Sequence, residues 1–277
     1  MRRLKSKSRK HIIVYLLLAV LAVIMVIPFV WTILTAFKTQ SEALKVPPQI
    51  LPSSWSFRNF EAVTEALPFA NFFWNTFLMV FFRVLGSVFF SALAAYAFAR
   101  LEFPGKNIFF AVILMQMMVP GQIFILPQYM IVSKLGWLNT VQALVLPGIV
   151  STFGMFLLRQ FFMSLPKDLE EAAVLDGCSI WKTFWKIMLP LTKPGLVSVA
   201  IFTALFAWKD LMWPLIVNMS IEKMTLSSGL ATLMGQYSVD YPQLMAGSLI
   251  AIVPMVIIFL IFQKQFVEGI ATSGTKG

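Results

Sequence analysis

The sequence is short of the groups on which most protein chemistry runs. Its 277 residues hold one cysteine, Cys178, and one histidine, His11. A single cysteine excludes an intrachain disulfide, and the two residues cannot supply a metal-ligand cluster of the usual kind. Acids are scarce as well, with 12 Asp and Glu against 22 Lys and Arg. Few of them fall in the apolar runs, so no catalytic constellation can be assembled there. A phosphate-cradling loop is also missing. Gly105-Lys106 lacks both the upstream glycine and the following Ser or Thr.

What the chain does have is apolar length. It is 59% hydrophobic and 12% charged, with a mean hydropathy of +0.82. Soluble domains carry about twice that charge fraction. Apolar runs of membrane-spanning length recur, so the expected fold is all-α, a polytopic membrane helix bundle in one domain over 1–277. A β-barrel would show ~10-residue alternating segments, and none dominate. Six spans are expected, at 12–34, 72–99, 107–127, 140–161, 195–216 and 244–263. The first follows the basic head "MRRLKSKSRKH" and is read as retained. It is longer than a signal-peptide core, and "TAFKTQ" is a poor cleavage site.

The net charge of +10 could suggest nucleic acid, but in a membrane protein its distribution matters more. With the N-terminus in the cytoplasm, fifteen Lys and Arg lie in inside segments and six in outside ones, with Arg83 inside a span. This bias follows the positive-inside rule and puts both termini, and residues 162–194, in the cytoplasm. "LSSGL" at 226–230, faintly similar to an ATPase signature, then falls outside and is set aside.

The 162–194 segment is the most polar helix-like stretch. Pro166 suits a first helical turn, and Asp168, Glu170 and Glu171 favour the positive end of a helix dipole. Gly177 sits where a stop is expected, Ser179 can cap a second, amphipathic helix, and Pro190 is expected to end it. Local chemistry leaves two readings open: an ordinary amphipathic loop, or a docking element for another protein.

"EAAVLDGCSIWKTFWKIMLP" resembles the cytoplasmic signature of ABC importer permeases. The matching positions are Glu171, Ala172, Ala173, Gly177, Ile187, Leu189 and Pro190, with Glu170 just ahead. "AAYAFARLEFPGK", "MMVPGQIFILPQYMIVSKLGWLNT", "WKDLMWPLIV" and "FVEGIATSGTKG" are similar to the carbohydrate branch, and to the shorter permease of maltose-type importers. The resemblance implies that 162–194 carries a coupling helix docked on a separate cytoplasmic ATPase, which would bind ATP and Mg; the chain itself would need no cofactor. It implies further partners: a second, related permease in a heterodimer, two ATPase copies, and an extracytoplasmic sugar-binding protein. The setting would be a bacterial cytoplasmic membrane, with no nucleic acid involved. The solute could instead be another, such as glycerol phosphate. A secondary transporter would want ionisable groups clustered in the spans, which are poor in acids.

Four more residues are candidates for the solute pathway. Arg83, mid-span, either lines the pathway or pairs structurally in the interior, although no acidic partner is evident within the spans. In "AWKDLMWP", Trp208 and Trp213 could stack on sugar rings and Asp210 could accept hydroxyl hydrogen bonds. The alternative there is an interfacial aromatic belt with a local Lys209–Asp210 pair. Ser91, Ala95 and Ala99 repeat every four residues, a spacing that lets helices approach closely. "GQYSVDYPQ", 235–243, reads either as a contact for the binding protein or as a solvated loop.

Overall fold

A computed structural model describes residues 2–235 and 239–274, with side chains for 14–235 and 239–263. Part of the 235–243 loop therefore lies outside the described residues, as does the side chain of His11. In chain order the α-helices are α1 (Arg2–Ala36), α2 (Gln40–Ala43), α3 (Arg58–Ala66), α4 (Phe69–Arg100), α5 (Lys106–Gln116), α6 (Ile125–Lys134), α7 (Val141–Val145) and α8 (Thr152–Ser164). They continue with α9 (Asp168–Leu175), α10 (Ile180–Thr183), α11 (Leu189–Leu191), α12 (Lys193–Trp208), α13 (Met212–Val217), α14 (Leu226–Ala231) and α15 (Tyr241–Gly274). A π-helical turn, Phe184–Met188, joins α10 to α11. No strand occurs among the described residues.

Three segments are long and apolar enough to cross a membrane unbroken: Val14–Ala36, Phe69–Arg100 and Tyr241–Gln263. The others are bent. Lys106–Gln116 meets Gly121–Lys134 at 95°, Val141–Gly148 meets Thr152–Ser164 at 45°, and Ile180–Leu191 meets Lys193–Trp208 at 76°. Pro120 and Pro127 predict a kink in the 107–127 span, and the break there falls beside Pro120; the 140–161 span breaks after Gly148, and the helix in 195–216 stops at Trp208 and resumes at Met212. Pro120, Pro147 and the stretch 209–211 stand at or beside interruptions, where a missing N–H or an unwound turn ends the helical ladder.

The chain divides into two compact units where the sequence reading drew one domain: Met1–Pro68 with Leu230–Val253, and Phe69–Gly229 with Pro254–Gly277. The second unit is organised by α4. The segment 141–165 runs parallel to it at a nearly constant offset. Arg83 meets Leu144, Ser91 meets Ser151, Phe98 meets Arg159 and Arg100 meets Phe162. Small residues permit this closeness, as the four-residue spacing of Ser91 and Ala95 anticipates. A Cβ added to Gly154 would sit 2.7 Å from the Ser91 Oγ, and Ala95 is fully buried. The two parallel helices also cap each other. Arg159 of α8 donates to Phe98 O in the last turn of α4, while Arg100 of α4 donates to Phe162 O and Leu165 O at the end of α8. Each guanidinium satisfies carbonyls left open by a helix end and offsets its negative pole.

In the first unit a polar loop follows α1. Lys38, only 2% exposed, stacks over Trp31 and donates to Gln49 O at 2.5 Å. Thr39 caps α2 in a capping box with Glu42. Glu42 Oε1 also accepts from Ser53 N and Gln49 Nε2. Gln40 ties the loop to Val239 O and Tyr241 N. The hydrogen bonds from Ser53 and Thr39 hold the Glu42 carboxyl down at about 2, from an ordinary 4.5. A depressed carboxylate stabilises the fold above its unfolded value and loses that contribution as pH falls toward the folded one. We expect pepsin cleavage within 38–56 to rise as pH falls from 4.5 toward about 2, and Glu42→Ala to be cleaved readily across that whole range.

Candidate functional site

The polar segment between α8 and α12 begins after Pro166, which lies just ahead of α9 and not in its first turn. Asp168, Glu170 and Glu171 fill that first turn. The helix closes at Leu175, and Gly177 follows at φ +70°. Gly177 N donates to Val174 O and Cys178 N to Ala173 O, the paired bonds of a Schellman turn. Ser179 Oγ then accepts from Lys182 N and starts α10.

This segment has two faces. Inward, Ala173, Phe184 and Met188 are buried, and Phe184 packs on Tyr96 and Phe162 at 5.1 and 6.3 Å between ring centres. The Glu170 carboxylate stands 3.4 Å from Arg100 Nε, an ion pair rather than a hydrogen bond at that length. Outward, Glu171 and Ala172 are exposed, with Val174 at 67% and Leu175 at 89%. Exposed apolar groups beside an exposed acid form a surface suited to a partner. Glu170 and Glu171, adjacent in sequence, thus differ in role, Glu170 half-buried beside Arg100 and Glu171 exposed.

Ile187 and Leu189 are half-buried against the same inner core. Pro190 does not end the helix, as the sequence suggests. The chain stays helical to Leu191 and turns at Thr192. The wider π turn at 184–188 explains this, because a proline inside a regular α-helix loses a hydrogen bond and collides with the carbonyl four residues back.

The four pathway candidates separate. Arg83 does have an acidic partner: its Nη1 donates to Asp210 Oδ2 at 2.8 Å, and its Nε donates to Leu144 O at 2.8 Å. The expected absence of an acid within reach is thereby corrected, as is the local Lys209–Asp210 pair. Lys209 instead lies over the Phe206 ring at 4.7 Å. Trp213 is buried, and its indole donates to Ala143 O at 2.8 Å, so its ring is committed to the interior. That carbonyl would ordinarily bond the N–H of residue 147, which is proline. Trp208 stands apart, half-buried, with its carbonyl accepting from Ser227 Oγ. Arg100 and the Ala143 and Leu144 carbonyls are functional groups that sequence reasoning missed. Pro147 is the signal that could have revealed the carbonyls. Among the described residues, no His, Cys, Asp and Glu group could hold a metal.

Comparison with known proteins follows the same lines. Residues 87–271 match the family model described as binding-protein-dependent transport system inner membrane component. The chain is 38% identical over 262 residues to the arabinooligosaccharides transport system permease protein AraQ of Halalkalibacterium halodurans, covering 94% of each chain. It is 32% identical over 274 residues to the diacetylchitobiose uptake system permease protein NgcG of Streptomyces coelicolor, covering 98% of this chain and 90% of that one. Its fold resembles a chain in the crystal structure of a bacterial ABC transporter involved in the import of the acidic polysaccharide alginate. The TM-score is 0.78 at 22% identity, over 94% of this chain and 97% of that one.

Nothing lies within 4 Å of a Cβ built on Gly177, so a substitution there meets backbone strain alone. Gly177→Val is expected to lower hydrogen-exchange protection of the Cys178 amide roughly tenfold, and Gly177→Asn by less, because asparagine tolerates the left-handed region.

Proposed function

The chain belongs to the family of inner membrane components of binding-protein-dependent transport systems, and from that premise we propose that it carries an oligosaccharide inward, driven by a separate ATPase docked on 168–191. The two-faced segment is the observation that carries this reading. Glu171, Ala172, Val174 and Leu175 offer a free surface, while Glu170, Ala173, Phe184 and Met188 fasten its back to the ends of α4 and α8. A push on the free face therefore reaches two long helices at once.

The remaining parts of the proposal rest on membership of the family. ATP and Mg are bound by two copies of the ATPase and not by this chain. A second, related permease completes the pathway, and an extracytoplasmic binding protein delivers the solute. Both termini are cytoplasmic, in keeping with the inside excess of Lys and Arg. The names of the AraQ and NgcG relatives support a saccharide. A phosphoester is less well supported, because the charge of Arg83 is already taken by Asp210. Asp210, 22% exposed on its side chain, and Trp208 are the candidates in this chain for touching a sugar.

Two measurements test the reading. Titrating the companion binding protein with arabino-oligosaccharides, diacetylchitobiose and glycerol 3-phosphate should give micromolar or tighter binding to a saccharide, and glycerol 3-phosphate as the sole ligand would overturn that assignment. Glu171→Lys should leave the chain inserted in the membrane but reduce co-purification of the ATPase about tenfold, as expected when a contact charge is reversed. Undiminished co-purification would exclude Glu171 from the contact.

A further inference from the structure

Two of the interrupted helices of the second unit are tied to each other. The first interruption follows Leu144, where the chain passes through a short 3-10 turn, Leu146–Gly148, before α8. The second is the stretch 209–211, between α12 and α13. The planar guanidinium of Arg83 holds both, with Nε on the Leu144 carbonyl beside the first and Nη1 on the Asp210 carboxylate within the second. Gly148 packs flat against this group, since an added Cβ would fall 2.7 Å from Nε. A second tie, Trp213 to Ala143 O, crosses between the same two interruptions.

An interruption is where a spanning helix bends at least cost. Two interruptions tied together in an apolar setting bend together or stay still, because separating them would take the indole donor from Ala143 O and take Arg83 from either the Asp210 carboxylate or the Leu144 carbonyl. We propose that Arg83 is a positioning residue of the transport cycle, holding the interruptions at 146–148 and 209–211 to one depth of α4 so that they move as one piece. It acts through Asp210 and Leu144 and need not touch the solute. This inference rests on the reading of the chain as an ATP-driven permease.

The test uses the complete importer in lipid nanodiscs, with ATP as the only added ligand. Without the tie, ATP-driven movement no longer has to carry both interruptions. Arg83→Gln and Asp210→Asn should each raise the solute-free ATPase rate per assembled complex about threefold or more. The double variant should match either single one, because the two groups act as a unit. Arg83→Lys, which keeps the charge but loses the two-pronged geometry, should fall between wild type and Arg83→Gln. A purely structural role would lower the yield and melting temperature of the complex while leaving turnover per complex unchanged, and that result would overturn the proposal. So would single effects that multiply in the double variant. If Arg83→Gln fails to assemble, Asp210→Asn and Arg83→Lys carry the same comparison. A wild-type complex without ATPase activity would instead count against the permease reading itself.

Discussion

A backbone carbonyl in an apolar interior must find a donor, and most of the second unit's polar architecture answers that demand. Unbroken helices satisfy themselves. Broken ones expose carbonyls, and the exposed groups recruit the few strong donors available. Ala143 O takes the Trp213 indole, and Leu144 O takes Arg83. At the ends of α4 and α8, Phe98, Phe162 and Leu165 take Arg159 and Arg100. These cations sit where chain geometry requires a donor, so their presence in apolar surroundings needs no solute to explain it.

The same economy shapes the 168–191 segment. Arg100 binds the end of α8 with one nitrogen and faces Glu170 with another, so the cap of one helix also anchors the next element. Phe184 and Met188 bury the back of the segment in the cluster with Tyr96 and Phe162. The exposed apolar tip at Val174 and Leu175 is thus borne on a rigid base. The proposed transmission of force from an ATPase would need that combination.

Much of this could be read from the residues alone. The apolar runs announced a helical membrane protein, and Gly177 and Ser179 marked a stop and a start that the chain uses as such. The signature around Glu171 pointed to the family. Pro120 and Pro127 marked the interruption in 107–127, whereas the break at 209–211 was less visible, because Lys209 and Asp210 there read as a local surface pair. Pairings distant in sequence were invisible for a different reason. Arg83 and Asp210 are 127 positions apart, and only the packing of α4 against the broken helices brings them together. Glu170 and Glu171 look alike in sequence, and a helix turn of about 100° per residue is what lets one reach Arg100 while the other points to the open side.

The near-constant spacing between α4 and the segment parallel to it bears on how such chains can vary. Partners along the pair lie 60 to 62 positions apart. Between them runs the stretch from Leu101 to Thr140, which holds α5 and α6, and α5 packs on both paired helices through Phe110, against Phe98 and under Arg159. Residues gained or lost in its turns, outside α5 and α6, shift the numbering and leave every α4 partner in place. A single residue gained or lost within 83–100 or 144–162 would rotate everything beyond it by about 100°. The arginines downstream would then swing away from their carbonyls. Length variation in this architecture is therefore tolerable in the turns between helices and ruinous along the paired helices, even where each helix would remain as apolar as before.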